Sequence, residues 1–124
     1  MGKKIRIECK SVSLAAQLND TETARAVAEA LPIEGSVNRW GEEVYFEIPV
    51  KTGLAEGARA DVEVGEIGYW PTGSAFCVFF GPTPASDGDK PRAASAVNII
   101  GRVLDDAKEL GAAKDGDRIT IRAD

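Results

Sequence analysis

Apolar and polar residues alternate with a period of two along most of this chain, the spacing of a strand that buries one face. Ile5, Ile7 and Cys9 alternate with Lys4, Arg6 and Glu8; after Lys10 and Ser11, Val12, Leu14, Ala16 and Leu18 alternate with Ser13 and Gln17. These two runs predict a hairpin. The period then changes. In NDTETARAVAEAL, residues 19–31, Ala24, Val27, Ala28 and Leu31 fall at i, i+3, i+4 and i+7, which is one face of a helix. Asn19 with Glu22 three residues on resembles a capping box, Asp20 is an equally good N-cap, and Pro32 stops the helix.

Ser36 to Arg39 and Glu43 to Ile48 read as strands around Trp40-Gly41, with Val44, Phe46 and Ile48 facing inward and Glu43, Tyr45 and Glu47 outward. Residues 49–60 have no clear period and read as a loop. Strand character returns at Val62 and Val64, at Ile67 to Trp70 and, after a Pro71-Thr72-Gly73 turn, at Ala75 to Phe80. The run AFCVFF is apolar at every position, so this strand must be covered on both faces. Gly81 to Ala96 contains Pro82, Pro84, Gly88 and Pro91 and is long for a plain connection, so it reads as a loop that lines a site. Val97 to Leu104 is a strand, Asp105 caps a short helix ending near Gly111, Asp115-Gly116 is a turn, and Arg118 to Arg122 is the last strand. The class is mainly β. About eight short strands with one good helix and one short helix favour a closed barrel, which leaves no edge strand exposed. Neither a repeat nor a domain boundary interrupts residues 1–124, so a single domain is expected.

Composition narrows the function classes. With 44% hydrophobic and 28% charged residues the chain is ordinary globular material. The net charge is −5, and Lys3, Lys4 and Arg6 form the only local basic cluster, which argues against a nucleic-acid partner. The charged, alternating start lacks the apolar run of a signal peptide or membrane helix, so a cytoplasmic location without a membrane partner is expected. Cys9 and Cys77 lie in apolar strands without CxxC spacing, and the chain has no histidine. Both thiols are expected to be buried and unreactive, and neither a metal nor another cofactor is expected. The acidic pairs at 87–89, 105–106 and 115–117 lack the ligand spacing of a calcium loop and read as turns or a helix start. Without histidine, the commonest general base is missing.

Three stretches, in order, resemble cyclophilins: the strand and helix of Val12 to Leu31, the Gly73-Ser74-Ala75-Phe76 lead-in to a central strand, and Ile100-Gly101-Arg102-Val103 before a short helix. The chain is similar, more closely, to a family of stand-alone prokaryotic cyclophilin-like domains of unknown function, through GEIGYWPTGSAFCVFFGPTP at 65–84, VNIIGRV at 97–103 and the segment 42–50. The resemblance implies a closed eight-stranded cyclophilin-like β-barrel and brings no established activity. Cyclophilins hold a proline ring in an apolar pocket while an arginine stabilises the twisted bond. Against their pattern Ala75 replaces a glutamine, Cys77 a pocket phenylalanine and Val97 a histidine, and Arg39 is the candidate for the arginine. No catalytic residue is therefore assigned.

The leading expectation is a binding module whose groove takes a peptide or small-molecule ligand, built from Arg39, Tyr45, Trp70, Phe79, Pro82, Asn98 and Arg102. Core packing is the plain alternative for Trp70 and Phe79, a solvated turn for Arg39 and Trp40, and ordinary barrel surface for Asn98 and Arg102. Cys77 is assigned to the core. The alternatives of another class are a weak peptidyl-prolyl isomerase, or an accessory subunit of a cyclic-amide or urea-type amidohydrolase by fold analogy. A third reading is homo-oligomerisation through the same groove.

Overall fold

The computed structural model describes residues 2–124. The strands are β1 (Lys4–Cys9), β2 (Val12–Leu18), β3 (Ile33–Ser36), β4 (Asn38–Arg39), β5 (Glu43–Glu47), β6 (Arg59–Asp61), β7 (Glu66–Trp70), β8 (Ala75–Phe79), β9 (Arg92–Val103) and β10 (Arg118–Ala123). The helix α1 spans Glu22–Ala30, and short 3-10 helices occupy Pro71–Gly73 and Ala107–Ala112. No helix among the described residues is long and apolar enough to cross a membrane.

The strand alternation sets the register directly. Ile5 lies opposite Ala16, Ile7 opposite Leu14 and Ile121, and Cys9 opposite Val12 and Ile119, so one face of β1, β2 and β10 is wholly apolar. All pairings are antiparallel and follow the order β3-β10-β1-β2-β9-β7-β8-β5-β4, with β6 pairing off this path to β9. Among the described residues the sheet therefore holds ten strands against an expected eight, and hydrogen bonds do not close it. Its two end members, β3 and β4, follow one another along the chain with only Val37 between them. A Cβ on Gly35 of β3 would lie 2.6 Å from the Phe46 ring of β5, so the two ends of the path pack together.

Several sequence expectations shift by a few residues, each for a local reason. The N-cap of α1 is Thr21, whose Oγ1 accepts from the Ala24 amide at 3.2 Å. Asn19 and Asp20 do not fill that position; Asn19 Oδ1 instead accepts from both the amide and the hydroxyl of Thr21, and so orders the cap. The helix buries Thr23, Ala24 and Val27 against the sheet. Asp106, not Asp105, caps the second 3-10 helix, because Asp105 Oδ2 is taken by the Ala15 amide at 2.8 Å. The strand expected at Val62 and Val64 lies earlier, at β6: Val62 is buried just past its end, and Val64 is exposed. The expected loop 81–96 ends at Pro91, where β9 begins.

That long ninth strand decides the shape of the site. Its second half pairs with β7 and β2, and its first half pairs with β6 (Arg59 opposite Val97, Asp61 opposite Arg92). Gly101 allows the close approach to β2: a Cβ there would fall 2.2 Å from the Gln17 carbonyl oxygen and 3.0 Å from the Leu18 Cα. Two apolar clusters result. The larger contains the inward residues of β1, β2, β5, β7, β8 and β10, and the smaller contains Val62, Ala75, Cys77, Phe79, Ala93 and Val97 on the opposite face of β8. AFCVFF is thus covered on both faces, as its composition requires.

Candidate functional site

A pocket of about 180 Å³ opens on the outer cluster, lined by Trp40, Glu43, Tyr45, Trp70, Cys77, Ala93, Ala94 and Val97. Its geometry follows from strand pairing. Outward-facing Glu43 and Tyr45 of β5 lie opposite Phe79 and Cys77 of β8, and Trp70 of β7 lies opposite Ala75. Trp40 is held at the rim by a bond from its amide to the Glu43 carbonyl at 3.1 Å. The beginning of β9 supplies the small side of the pocket. Tyr45 and Trp70 stand nearly perpendicular, at 79° with centroids 6.3 Å apart, and the Trp70 indole donates to Ser95 Oγ at 2.7 Å. Both tryptophans of the chain border this one cavity.

Glu43 is the unusual member. It is expected to face outward, yet it is only 5% exposed, because the outer face of this sheet is itself covered. Burial raises its pKa to about 7, with the neighbouring Cys77 thiol pulling it part of the way back and no cation among the described residues contributing. Desolvation and the nearby Glu43 together push the Cys77 thiol well above its ordinary range. Glu66 shows the contrast. Burial pushes it upward too, but the bidentate Arg59 guanidinium, at 2.9 and 2.8 Å, and the Glu63 amide bring it below the ordinary carboxylate value. A carboxyl that titrates near neutrality in an aromatic recess can hold a proton for transfer or face a bound cation.

The residues expected to form one groove are distributed over several places. Tyr45 and Trp70 line the pocket. Phe79 is fully buried in the outer cluster and forms no part of the lining. Pro82 is exposed, and its carbonyl accepts from the Glu42 amide at 2.9 Å. Arg39 is a fastening: Nε donates to the Gly41 carbonyl, Nη1 to the Gly111 and Ala113 carbonyls, and Nη2 to Glu42, while its guanidinium lies 5.2 Å from the Phe80 ring centroid. It ties the turn after β4 to the second 3-10 helix.

Asn98 and Arg102 do not share a site. The β7–β9 register shifts between Ile67 and Gly68, a bulge that breaks the regular alternation from Asn98 to Arg102. Asn98 is buried, donating to Thr23 Oγ1 and the Gly53 carbonyl and accepting from the Ala55 amide, so it pins the 53–55 loop to α1. Arg102 is exposed and borders a separate cleft with Gln17, Asp20 and Glu66.

Sequence reasoning missed Glu43, assigned Cys77 to the core, and read Trp40 with Arg39 as either a ligand clamp or a solvated turn. One signal was available: AFCVFF demands a cover on its outer face, so an outward residue on the adjacent strand must be buried as well.

The comparisons agree with this architecture. No curated protein matches the chain. Among solved structures, the solution structure of the hypothetical protein AF2241 from Archaeoglobus fulgidus is similar at 40% identity, with a TM-score of 0.84, over 99% of this chain and 95% of that one. The family described as Cyclophilin-like matches residues 3–122. With that match spanning almost its whole length, the chain belongs to the cyclophilin-like family.

Proposed function

We propose that this protein is a binding module: a rigid barrel whose ring is completed covalently through Val37, presenting the Trp40–Tyr45–Trp70 recess to a small molecule or to one side chain of a peptide. The observation that carries this reading is the convergence of three aromatic side chains on a nearly buried carboxyl that no cation among the described residues neutralises. Aromatic walls with a single well-placed polar group are the usual construction of a small-ligand site. The volume suits such a ligand, since an apolar cavity of about 150 Å³ admits benzene.

The isomerase alternative draws less support. Its catalysis needs an arginine free to meet the imide nitrogen only in the twisted state. Every nitrogen of the Arg39 guanidinium is already committed within the chain, and Arg39 does not border the recess.

A fragment screen read by two-dimensional amide and indole NMR tests the proposal. Binders should shift both indole resonances together with Tyr45, Cys77, Ala94 and Val97. Shifts that gather instead around Arg102 or the 53–57 loop would place the site elsewhere.

A further inference from the structure

We propose that the occupant of this recess is a small organic cation, an ammonium head bearing apolar substituents, seated between the Glu43 carboxylate and the rings of Trp40, Tyr45 and Trp70. This rests on the binding-module reading and names its ligand class.

Charge complementarity is the first argument. The structure pairs its partly buried acids with cations: Glu66 meets Arg59 through two hydrogen bonds, Asp117 meets Lys10, Glu42 meets Arg39 and Glu8 meets Arg122. Glu43 lies deeper and, among the described residues, receives no such partner, and no lysine or arginine lines the recess. Burying a carboxylate without a counterion is costly, and a ligand cation supplies what the chain omits. An anionic ligand would set like charges together out of water.

The walls give the second argument. Aromatic faces attract a cation through the ring quadrupole, tryptophan most strongly, and the recess brings two tryptophans and a tyrosine together. The near-perpendicular setting of Tyr45 and Trp70 forms a corner, so one head group can meet both rings. Ala93, Ala94 and Val97 close the β9 side without any hydrogen-bonding side chain, which suits alkyl substituents. Size agrees as well, since about 180 Å³ exceeds the roughly 150 Å³ that holds a benzene ring.

The ionisable groups facing Glu43 are few. Tyr45 lies on its own strand and Cys77 on β8, whereas Trp70 on β7 and the three β9 residues carry no titrating group. The nearby Arg39–Glu42 pair is turned toward Phe80 and the second 3-10 helix. Cation binding therefore favours the ionised state of Glu43 and expels its proton. Because that carboxyl titrates near 7, affinity for a permanently charged cation should fall as pH drops below that value.

The test uses choline and its uncharged isostere 3,3-dimethylbutan-1-ol on the full chain, with tryptophan fluorescence and calorimetry at pH 6 and pH 8. Choline should bind at least about tenfold tighter than the isostere at pH 8, and its advantage should shrink by about fivefold to tenfold at pH 6. Its binding heat should vary with the ionisation enthalpy of the buffer as the proton leaves. Glu43→Gln keeps the side-chain shape and should abolish the preference while leaving isostere affinity within about twofold. Equal affinity of the wild type for both probes overturns the cation assignment and leaves the pocket in place. Absence of binding by either probe overturns it too, and the fragment screen then decides separately whether the recess is a site at all.

Discussion

Phe76 and Cys77 are neighbours on β8, both out of water, and they face opposite sides of the sheet. Phe76 packs on Phe46, with centroids 5.4 Å apart and planes tilted by 36°, within the large inner cluster. Cys77 lies in the small outer cluster, where the next layer is Val62, the start of β9 and the turn at Trp40, and where a cavity and a carboxyl remain. The inner face fills its space with apolar groups contributed by strands distant in sequence. The outer face leaves room. Apolar packing is concentrated on one side of the strand, and the recess proposed for recognition lies on the other.

The bluntest way to break this comparison is to truncate each neighbour. Phe76→Ala leaves a void that the surrounding strands cannot close and should lose about 3–5 kcal/mol of unfolding free energy. Cys77→Ala removes one sulfur atom beside an existing cavity, and should lose about 1 kcal/mol. Urea titrations at fixed pH measure both. Equal losses would mean that the outer cluster is packed as tightly as the inner one.

Acid titration sharpens the contrast chemically. Glu43 has an ordinary value of 4.5 and titrates at about 7 in the fold. Between those values the native protein holds a proton that the unfolded chain has released. The favourable contribution is complete below pH 4.5 and disappears as pH rises through 7, an interval worth about 3 kcal/mol. The lowered carboxyls Glu8, Glu66 and Asp117 act in the opposite sense and in a lower window, losing their contribution as pH falls toward their folded values. Unfolding free energies of wild type and Glu43→Gln should therefore diverge between pH 5 and pH 8, with the variant gaining about 3 kcal/mol relative to the wild type. A difference that stays constant across this range would show that Glu43 is ionised throughout.

These two faces also differ in how readily the sequence reveals them. Period-two alternation locates β1, β2, β5 and β10 within a residue or two, because half-buried strands carry their burial pattern openly. α1 is equally legible from Ala24 and Val27. The outer face is harder, since its cover arrives through β9, whose first half reads as a proline-rich loop, and through a register shift that period-two reasoning cannot anticipate. Asn98 and Arg102 are separated for that reason. Arg39 lies away from the recess for another: two of its three carbonyl partners, Gly111 and Ala113, are more than seventy residues away, and no local pattern announces them. Glu43 is hidden by the rule that outward positions on a strand are wet, a rule that lapses wherever both faces are covered.

The smallest effect concerns a side-chain hydrogen bond that fixes one pocket wall. Trp70 is only partly buried, and its indole N–H is held by Ser95 on an exposed stretch of β9. Ser95→Ala removes that acceptor at a place where water can replace it, so stability should change by less than about 1 kcal/mol. The Trp70 ring, which also packs on Gly73 and Tyr45, should nonetheless gain some freedom, because it loses the hydrogen bond that fixes its indole edge. Its indole resonance should broaden or shift while that of Trp40 is unchanged, and ligand affinity should drop by about threefold to tenfold with unfolding almost unaffected. The same substitution lowering stability by several kcal/mol would place Trp70 in the supporting core and remove the distinction between the two faces of β8.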